Sequence, residues 1–493
     1  MNFSAKKVYL VGIKGTGMAS LAVLLHKTGA NVSGCDSPEI FSTDTLLAEN
    51  KIPVISGFSI SSLPSSTNIV IHSSAYQRTL PILQEAERIG LEIYSYPEFL
   101  ALLSKESDSY AVAGTHGKTT TTAVASYLLA SLGFHDFPFY SIYGSNLQGE
   151  SSLPYQGSEV ALFEACEYQD HFLSYSLRGA LVTNVDFDHP DYFHDLAHVQ
   201  ESFEKFVVNI RPNGFLICCN DDPGSKKLAQ YCRDRRPDIT LMTYGFNDNG
   251  PFWITKNHWD GTYSLSCLGG RYFVLPPLSE PLLDDYIGGA VLALAIMLDR
   301  PQVKLYLDDS QIISEEAIPS VAGMLTERLV SFPGCVGRSE VMLEEGGITY
   351  IDDYAHHPME IKATIDMLHI KYPKRPLAVL FCPHTASRTK ALLKDFVIAL
   401  SLADKVVIQH SYASARNDTD LSEDPAILLE KALSTHIMRT YRCHLQTVSY
   451  APDDKTAVSI MSVQLQPGDL CITMGAGNNR LLGPEIAQAR RSL

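Results

Sequence analysis

The chain has no stretch of roughly 18 or more uninterrupted apolar residues, so a membrane span is not expected. Its 10 cysteines lack the paired spacing of a zinc site. Cys218 and Cys219 are adjacent, and neighbours on a strand point to opposite faces. Reduced, mostly structural thiols are the reading. Positive charge is scarce: 39 Lys and Arg stand against 55 Asp and Glu, a net charge of -16. That argues against non-specific polyanion binding, so no nucleic-acid partner is expected. It leaves room for small anionic ligands held by local glycine loops. There is no internal repeat, coiled coil or low-complexity tract. The start, MNFSAKKVYLVGIKGTGM, enters a strand-like run with no secretory leader before it. A cytoplasmic protein is expected.

What the sequence does have is a strand–helix rhythm over 493 residues, too long for one core. KVYLVGI (7–13), a helix ending at Gly29 and NVSGCD (31–36) read as a doubly wound unit. NIVIHSS (68–74), LPILQEAERIG (80–90) and LEIYSY (91–96) repeat it loosely. A second unit opens near 109 with a strand, THGKTT and a helix. Strands at 159–165, 179–185 and 214–220 follow, with a helix over 196–210. Residues 251–275 read as short antiparallel strands, and 286–299 as a helix. A third unit begins near 326. The expectation is an α/β protein with domains at 1–107, 108–325 and 326–493.

The strongest local signal is GTHGKTTT, spanning Gly114, Thr115, His116, Gly117, Lys118, Thr119 and Thr120 to Thr121. It follows a strand and opens a helix. Glycine backbone amides can face phosphate oxygens, Lys118 can meet the β- and γ-phosphates, and Thr119 can ligate magnesium. ATP binding is predicted. An ordinary turn would explain the glycines but not the Lys–Thr run. In the first unit Gly12, Gly15 and Gly17 form GxxGxG, with Asp36 at the end of the next strand, where a carboxylate often meets a ribose hydroxyl. Alone, this suggests NAD as readily as UDP.

Glu164, in FEACEYQD, and His189, in TNVDFDHPDYF, lie in the same unit as the ATP loop and could ligate a divalent cation at the carboxyl edge of a parallel sheet. Glu167 reads as a substrate contact or a solvated residue. Asp186, Asp188 and Asp191 read as helpers or as loop-capping groups. In the third unit, IDDYAHHP places Asp353 near a ribose or ATP and at least one of His356 and His357 in a cleft. Arg388, in FCPHTASRT, offers a guanidinium fork for a carboxylate or phosphoryl group. GAGNN (475–479) reads as a phosphate nest or a tight turn.

Taken in order, GIKGTGM, SSAYQ, GTHGKTTTT, FEACEYQDHFL, TNVDFDHPDYF, GRSE, IDDYAHHPMEI and FCPHTASRT resemble the Mur ligase family, most closely its alanine-adding branch. The resemblance covers nearly the whole chain. It implies a UDP-binding Rossmann-like domain, a central P-loop ATPase-like domain and a C-terminal Rossmann-like domain. It implies ATP-dependent joining of L-alanine to UDP-N-acetylmuramate through an acyl phosphate, with Mg2+ as cofactor. Gly15, Thr16 and Gly17 would contact the UDP diphosphate, with Ser73 and Ser74 nearby. Lys118 and Thr119 would hold ATP and magnesium, Glu164 and His189 would be magnesium ligands, Asp353 would contact the nucleotide, and Arg388 would order the phosphate and amino-acid region. Several positions depart from the family pattern. Cys166 stands where many relatives carry aspartate, and Thr385 where arginine is common. Asn478 stands where aspartate is usual. LLDDYIGGA, with Leu283, Asp284 and Gly288, stands where a His–Asn pair and a further Asn are usual, so adenine recognition is expected to differ. A peptide-recycling ligase and a regulatory, weakly active relative are the alternatives. A plain dehydrogenase leaves the ATP loop without a purpose. Monomer and weak homodimer stay equally open.

Overall fold

A computed structural model describes residues 3–131, 138–150, 154–246, 252–257, 262–267, 270–275, 279–299, 328–412, 424–440, 443–475, 477 and 479–492. The chain divides into two compact units, one of Met1–Phe187 with Tyr192–Pro333, the other of Asp188–Asp191 with Gly334–Leu493. The expected boundary at 325/326 lies outside the described residues.

The first unit carries two sheets. One is built from β1 (Lys7–Val11), β2 (Asn31–Asp36), β3 (Val54–Ser56), β4 (Ile69–His72) and β5 (Glu92–Ser95), in the order β3-β2-β1-β4-β5. All its pairings are parallel. Helices α1 (Thr16–Lys27), α2 (Asp44–Glu49), α3 (Pro81–Arg88) and α4 (Tyr96–Glu106) join the strands. β1 is buried after its first residue, the continuous apolar run of a sheet covered on both faces. Strand order reverses at β1, and the glycine loop follows β1. That is where open parallel sheets leave a crevice for ligands. The helix α4 was not anticipated: Ser95 and Glu98 form a capping box at its start, and Pro97 fits its first turn.

The second sheet contains β6 (Asp108–Ala113), β7 (Phe139–Ile142), β8 (Val160–Glu164), β9 (Leu177–Val182), β10 (Ile210–Cys219), β11 (Thr240–Gly245), β12 (Phe252–Lys256), β13 (Tyr263–Cys267) and β14 (Gly270–Leu275). Their order is β14-β13-β12-β11-β10-β9-β6-β8-β7. The last two pairings, β12 with β13 and β13 with β14, are antiparallel, as the turn-broken sequence predicts. Helices α5 (Lys118–Ser131), α6 (Leu196–Val208), α7 (Pro223–Arg235) and α8 (Glu280–Leu298) accompany it. The expected helix at 286–299 begins earlier, at Glu280, because Pro281 in a first turn forfeits no helical hydrogen bond. α8 is long and apolar enough to cross a membrane by length and composition, yet most of it is buried in the core formed with α5, β10 and β11. It is a core helix.

The second unit holds β15 (Glu340–Glu345), β16 (Ile348–Asp353), β17 (Leu377–Cys382), β18 (Lys405–Gln409), β19 (Thr447–Ala451) and β20 (Leu470–Gly475), in the order β15-β16-β20-β17-β18-β19. Only β15 pairs antiparallel among its described strands. Helix α9 (Pro358–Lys371) starts directly after the IDDYAHHP loop. Among the nine cysteines whose side chains are described, no disulfide forms and seven are buried.

Candidate active site

The chain leaves β6 into Gly114–Gly117 and enters α5 at Lys118. The loop is clamped by the segment after β9. The His116 N–H donates to Asn184 Oδ1 (2.8 Å), while Asn184 Nδ2 and Thr183 Oγ1 donate to the His116 carbonyl (3.1 and 2.6 Å). Thr115 Oγ1 donates to the Asp186 carbonyl (3.1 Å) and accepts the Asp186 N–H (2.9 Å). Gly117 has φ +77°, and a side chain there would run into the Asp285 carboxylate on α8. Only glycine suits that position. Gly114 is buried, and Thr120 is half-buried in the first turn of α5.

Lys118 Nζ donates to the carbonyls of Gly114 (2.5 Å) and Thr115 (2.9 Å) and forms an ion pair with Glu167 at 3.0 Å. Burial acts to lower its pKa, but Glu167, then Cys166 and Glu164, hold the ammonium above its usual range. Thr119 Oγ1 donates to Glu164 Oε1 (2.9 Å), and the Gly144 N–H donates to Glu164 Oε2 (2.7 Å). This hydroxyl–carboxylate pair beside the phosphate loop is an all-oxygen donor set that fits a hard divalent cation. His189 belongs to the segment grouped with the second unit. It has φ +53°, an uncommon conformation for a non-glycine residue, and its N–H donates to Asp188 Oδ1 (2.6 Å).

The glycine loop after β1 leads into α1, whose N-terminus has no side-chain cap and no acidic residue in its first turn. Such an end exposes amides suited to an anion. Thr16 is exposed there, between half-buried Gly15 and Gly17. Ser74 is exposed, and Ser73 Oγ accepts the Ala75 N–H (3.3 Å). Asp36 is turned inward. Its Oδ2 accepts the Lys14 N–H (2.7 Å), and its Oδ1 accepts the Ser37 N–H (2.8 Å) and the Tyr76 hydroxyl (3.1 Å). That carboxylate organises the loop.

Within the second unit, Arg388 donates through Nε and Nη2 to both oxygens of Asp188 (2.8 and 3.0 Å), and both side chains are over nine-tenths buried. Burial acts to raise the Asp188 carboxyl, and Arg388 overcomes it, holding the group well below its usual range. The fork meets a carboxylate of this chain itself. Asp353 accepts from the Ser339 N–H and hydroxyl (both 2.9 Å), the Ala355 N–H (2.7 Å) and the Thr364 hydroxyl (3.1 Å). These bonds tie β16 to its flanking loops. His357 and Glu360 form a capping box on α9. His356 stacks edge-on against His384, and burial pulls its imidazole down to about 4.

Sequence reasoning missed Thr183 and Asn184 as loop clamps, and Asp285 and Gly144 as neighbours of the phosphate loop and Glu164. Only the position of TNVD just after a strand hinted at the clamps. Where the family pattern departs in α8, Asp284 lies within 4.8 Å of Cys219 and Asp221 by their ligand atoms. Burial, then Asp221 and Asp285, hold its carboxyl far above the usual range.

A loop of this form, with its Lys–Thr pair set against a strand-end carboxylate, suits a nucleotide phosphate with a divalent cation. The chain belongs to the Mur ligase family. It matches the Mur ligase family catalytic domain over residues 7–107, the Mur ligase middle domain over 112–267 and the Mur ligase glutamate ligase domain over 337–477. It is 34% identical over 483 residues to the UDP-N-acetylmuramate–L-alanine ligase of Borreliella burgdorferi, covering 96% of this chain and 97% of that one. The protein of the same name from Treponema pallidum is 33% identical, covering 97% of this chain and 96% of that one. In fold it is similar to the UDP-N-acetylmuramate-alanine ligase of Thermotoga maritima, with a TM-score of 0.72 at 20% identity and 99% of each chain covered. The murein peptide ligase of Psychrobacter arcticus gives a TM-score of 0.68 at 19% identity, again with 99% of each chain covered.

Proposed function

We propose that the chain joins L-alanine to UDP-N-acetylmuramate at the expense of ATP, forming ADP and phosphate, in peptidoglycan synthesis. The Lys118–Thr119–Glu164 arrangement supports this reading, in a chain about one-third identical over nearly its full length to ligases of that name. Residues 1–107 bind the UDP-sugar acid, 108–325 bind ATP and 326–493 complete the ligase.

In the first step a muramate carboxylate oxygen attacks the γ-phosphorus, the bond to ADP breaks and an acyl phosphate forms. In the second, the alanine nitrogen attacks the acyl carbon, loses a proton, and phosphate leaves as the amide forms. Lys118 offsets charge on the transferring group by position rather than by covalent chemistry. The amides of Gly114–Thr119 hold the ATP phosphates, and those of Gly15, Thr16 and Gly17, with Ser73 and Ser74, hold the UDP diphosphate. Thr119 and Glu164 would hold Mg2+, which would supply further charge neutralisation when bound. Asp36 and Asp353 act by shaping their loops, and Arg388 by fixing the Asp188–Asp191 segment. The reaction takes place in the cytoplasm.

The test is phosphate release with Mg2+, ATP and UDP-N-acetylmuramate, with L-alanine present or omitted, and a product mass. Alanine-dependent release with the ligated mass is expected. Ligation of L-Ala-γ-D-Glu-meso-diaminopimelate in place of L-alanine would replace this reading with peptide recycling.

A further inference from the structure

The two nucleotide loops are joined by a short relay inside one compact unit. One turn into α1, Ser20 Oγ lies 3.2 Å from the Tyr143 carbonyl, as a donor. The next residue, Gly144, donates its N–H to Glu164 Oε2 at 2.7 Å, and Glu164 Oε1 accepts from Thr119 Oγ1 at 2.9 Å. A substrate anchored at the start of α1 and reacting beside α5 must cross this short span.

Tyr96 stands at that crossing. It is the first residue of α4, and its ring packs on the core beneath the first sheet. Its hydroxyl reaches the first turn of α1: a methyl group placed on Gly17 would lie 2.6 Å from Tyr96 Oη. Residue 17 must therefore lack a side chain for the phenol to take this position. The Tyr96 hydroxyl has no hydrogen-bond partner among the described residues, whereas the buried Tyr9 and Tyr110 hydroxyls donate to Ser62 and Asp299. An ordinary phenol keeps its proton near neutral pH. A neutral O–H beside an open helix N-terminus is a donor for an anionic oxygen.

We infer that Tyr96 is a substrate-binding residue, its hydroxyl donating a hydrogen bond to an anionic oxygen of the UDP-sugar acid as that substrate spans from α1 to the Thr119–Glu164 pair. This rests on the proposed function for the identity of the substrate.

The test is Tyr96→Phe, which keeps the ring and removes one oxygen. A hydrogen bond to a charged group contributes about 1.5–3 kcal/mol, so the Kd for UDP-N-acetylmuramate by calorimetry, without ATP, should weaken about 10–100-fold. In turnover, the KM for UDP-N-acetylmuramate should rise by a similar factor, with the KM values for ATP and L-alanine unchanged. A merely structural role would move all three together. Weakening shared by UDP alone puts the contact on the diphosphate, and weakening confined to the sugar acid puts it on the carboxylate; both support the inference. An unchanged Kd, or an equal rise in the KM for ATP, overturns it. Binding without ligation in the wild type would sink the ligase reading and still leave the Kd ratio to decide this one.

Discussion

Lys118 Nζ lies 3.0 Å from Glu167 Oε2, and the two side chains are only 13% and 2% exposed. A buried pair of this kind costs more to break than to replace, since removing one partner leaves the other charge unmatched. Lys118→Met should abolish phosphate release. Glu167→Gln should lower kcat/KM for ATP about 10–100-fold, by loosening the ammonium from its place. Thermal unfolding should show each single variant less stable than the double variant, while activity stays absent in the double. A double variant no more stable than the singles would refute the coupling.

Glu164 holds one oxygen on Thr119 and the other on the Gly144 N–H, so its geometry is set before any cation arrives. Glu164→Gln replaces an anionic ligand with a neutral one. The Mg2+ concentration giving half-maximal phosphate release should rise at least about 10–100-fold. Chelation should stop the wild-type reaction, and added Mg2+ should restore it. Indifference of the variant to Mg2+ concentration would remove Glu164 from the ligand set.

Asn184 grips both the N–H and the carbonyl of His116. Asn184→Ala leaves a partly buried backbone N–H without its partner, a cost of about 1–3 kcal/mol. Initial rates should show the KM for ATP raised about 5–100-fold, with the KM for UDP-N-acetylmuramate unchanged. Equal KM values for ATP in the two proteins would mean the loop keeps its shape without the clamp.

Burial places the His356 imidazole at about 4, against about 6.5 for a free histidine. Its folded value is depressed, so its contribution to stability is present above pH of about 6.5 and is lost as pH falls towards about 4. Unfolding temperatures measured from pH 7 to 4 should therefore fall less steeply in His356→Gln than in the wild type. Parallel curves would assign the acid sensitivity elsewhere.

The strands and most helices were legible because parallel β/α units bury their strands on both faces and cap their helices with recognisable residues. GTHGKTTT could be read as a phosphate loop since its chemistry is contiguous. Side-chain direction was not legible. Asp36 and Asp353 end their strands where a ribose could be met, yet each carboxylate turns onto nearby N–H and hydroxyl groups. Arg388 was recognised as a fork for an anion, but Asp188 lies 200 residues away in sequence. The clamp on His116 was hidden for the same reason, with Asn184 brought over only by the pairing of β6 with β9. The α4 helix was missed although Ser95 and Glu98 carry a legible capping signal.

The contact of Ser20 with the Tyr143 carbonyl ties α1, which follows the glycine loop after β1, to the turn that carries Gly144 and so to Glu164. Any coupling that such a joint carries between ligands at the two loops is reciprocal, each changing the other's affinity by the same factor. The order in which the two substrates arrive then changes the path of assembly but not the coupling between them.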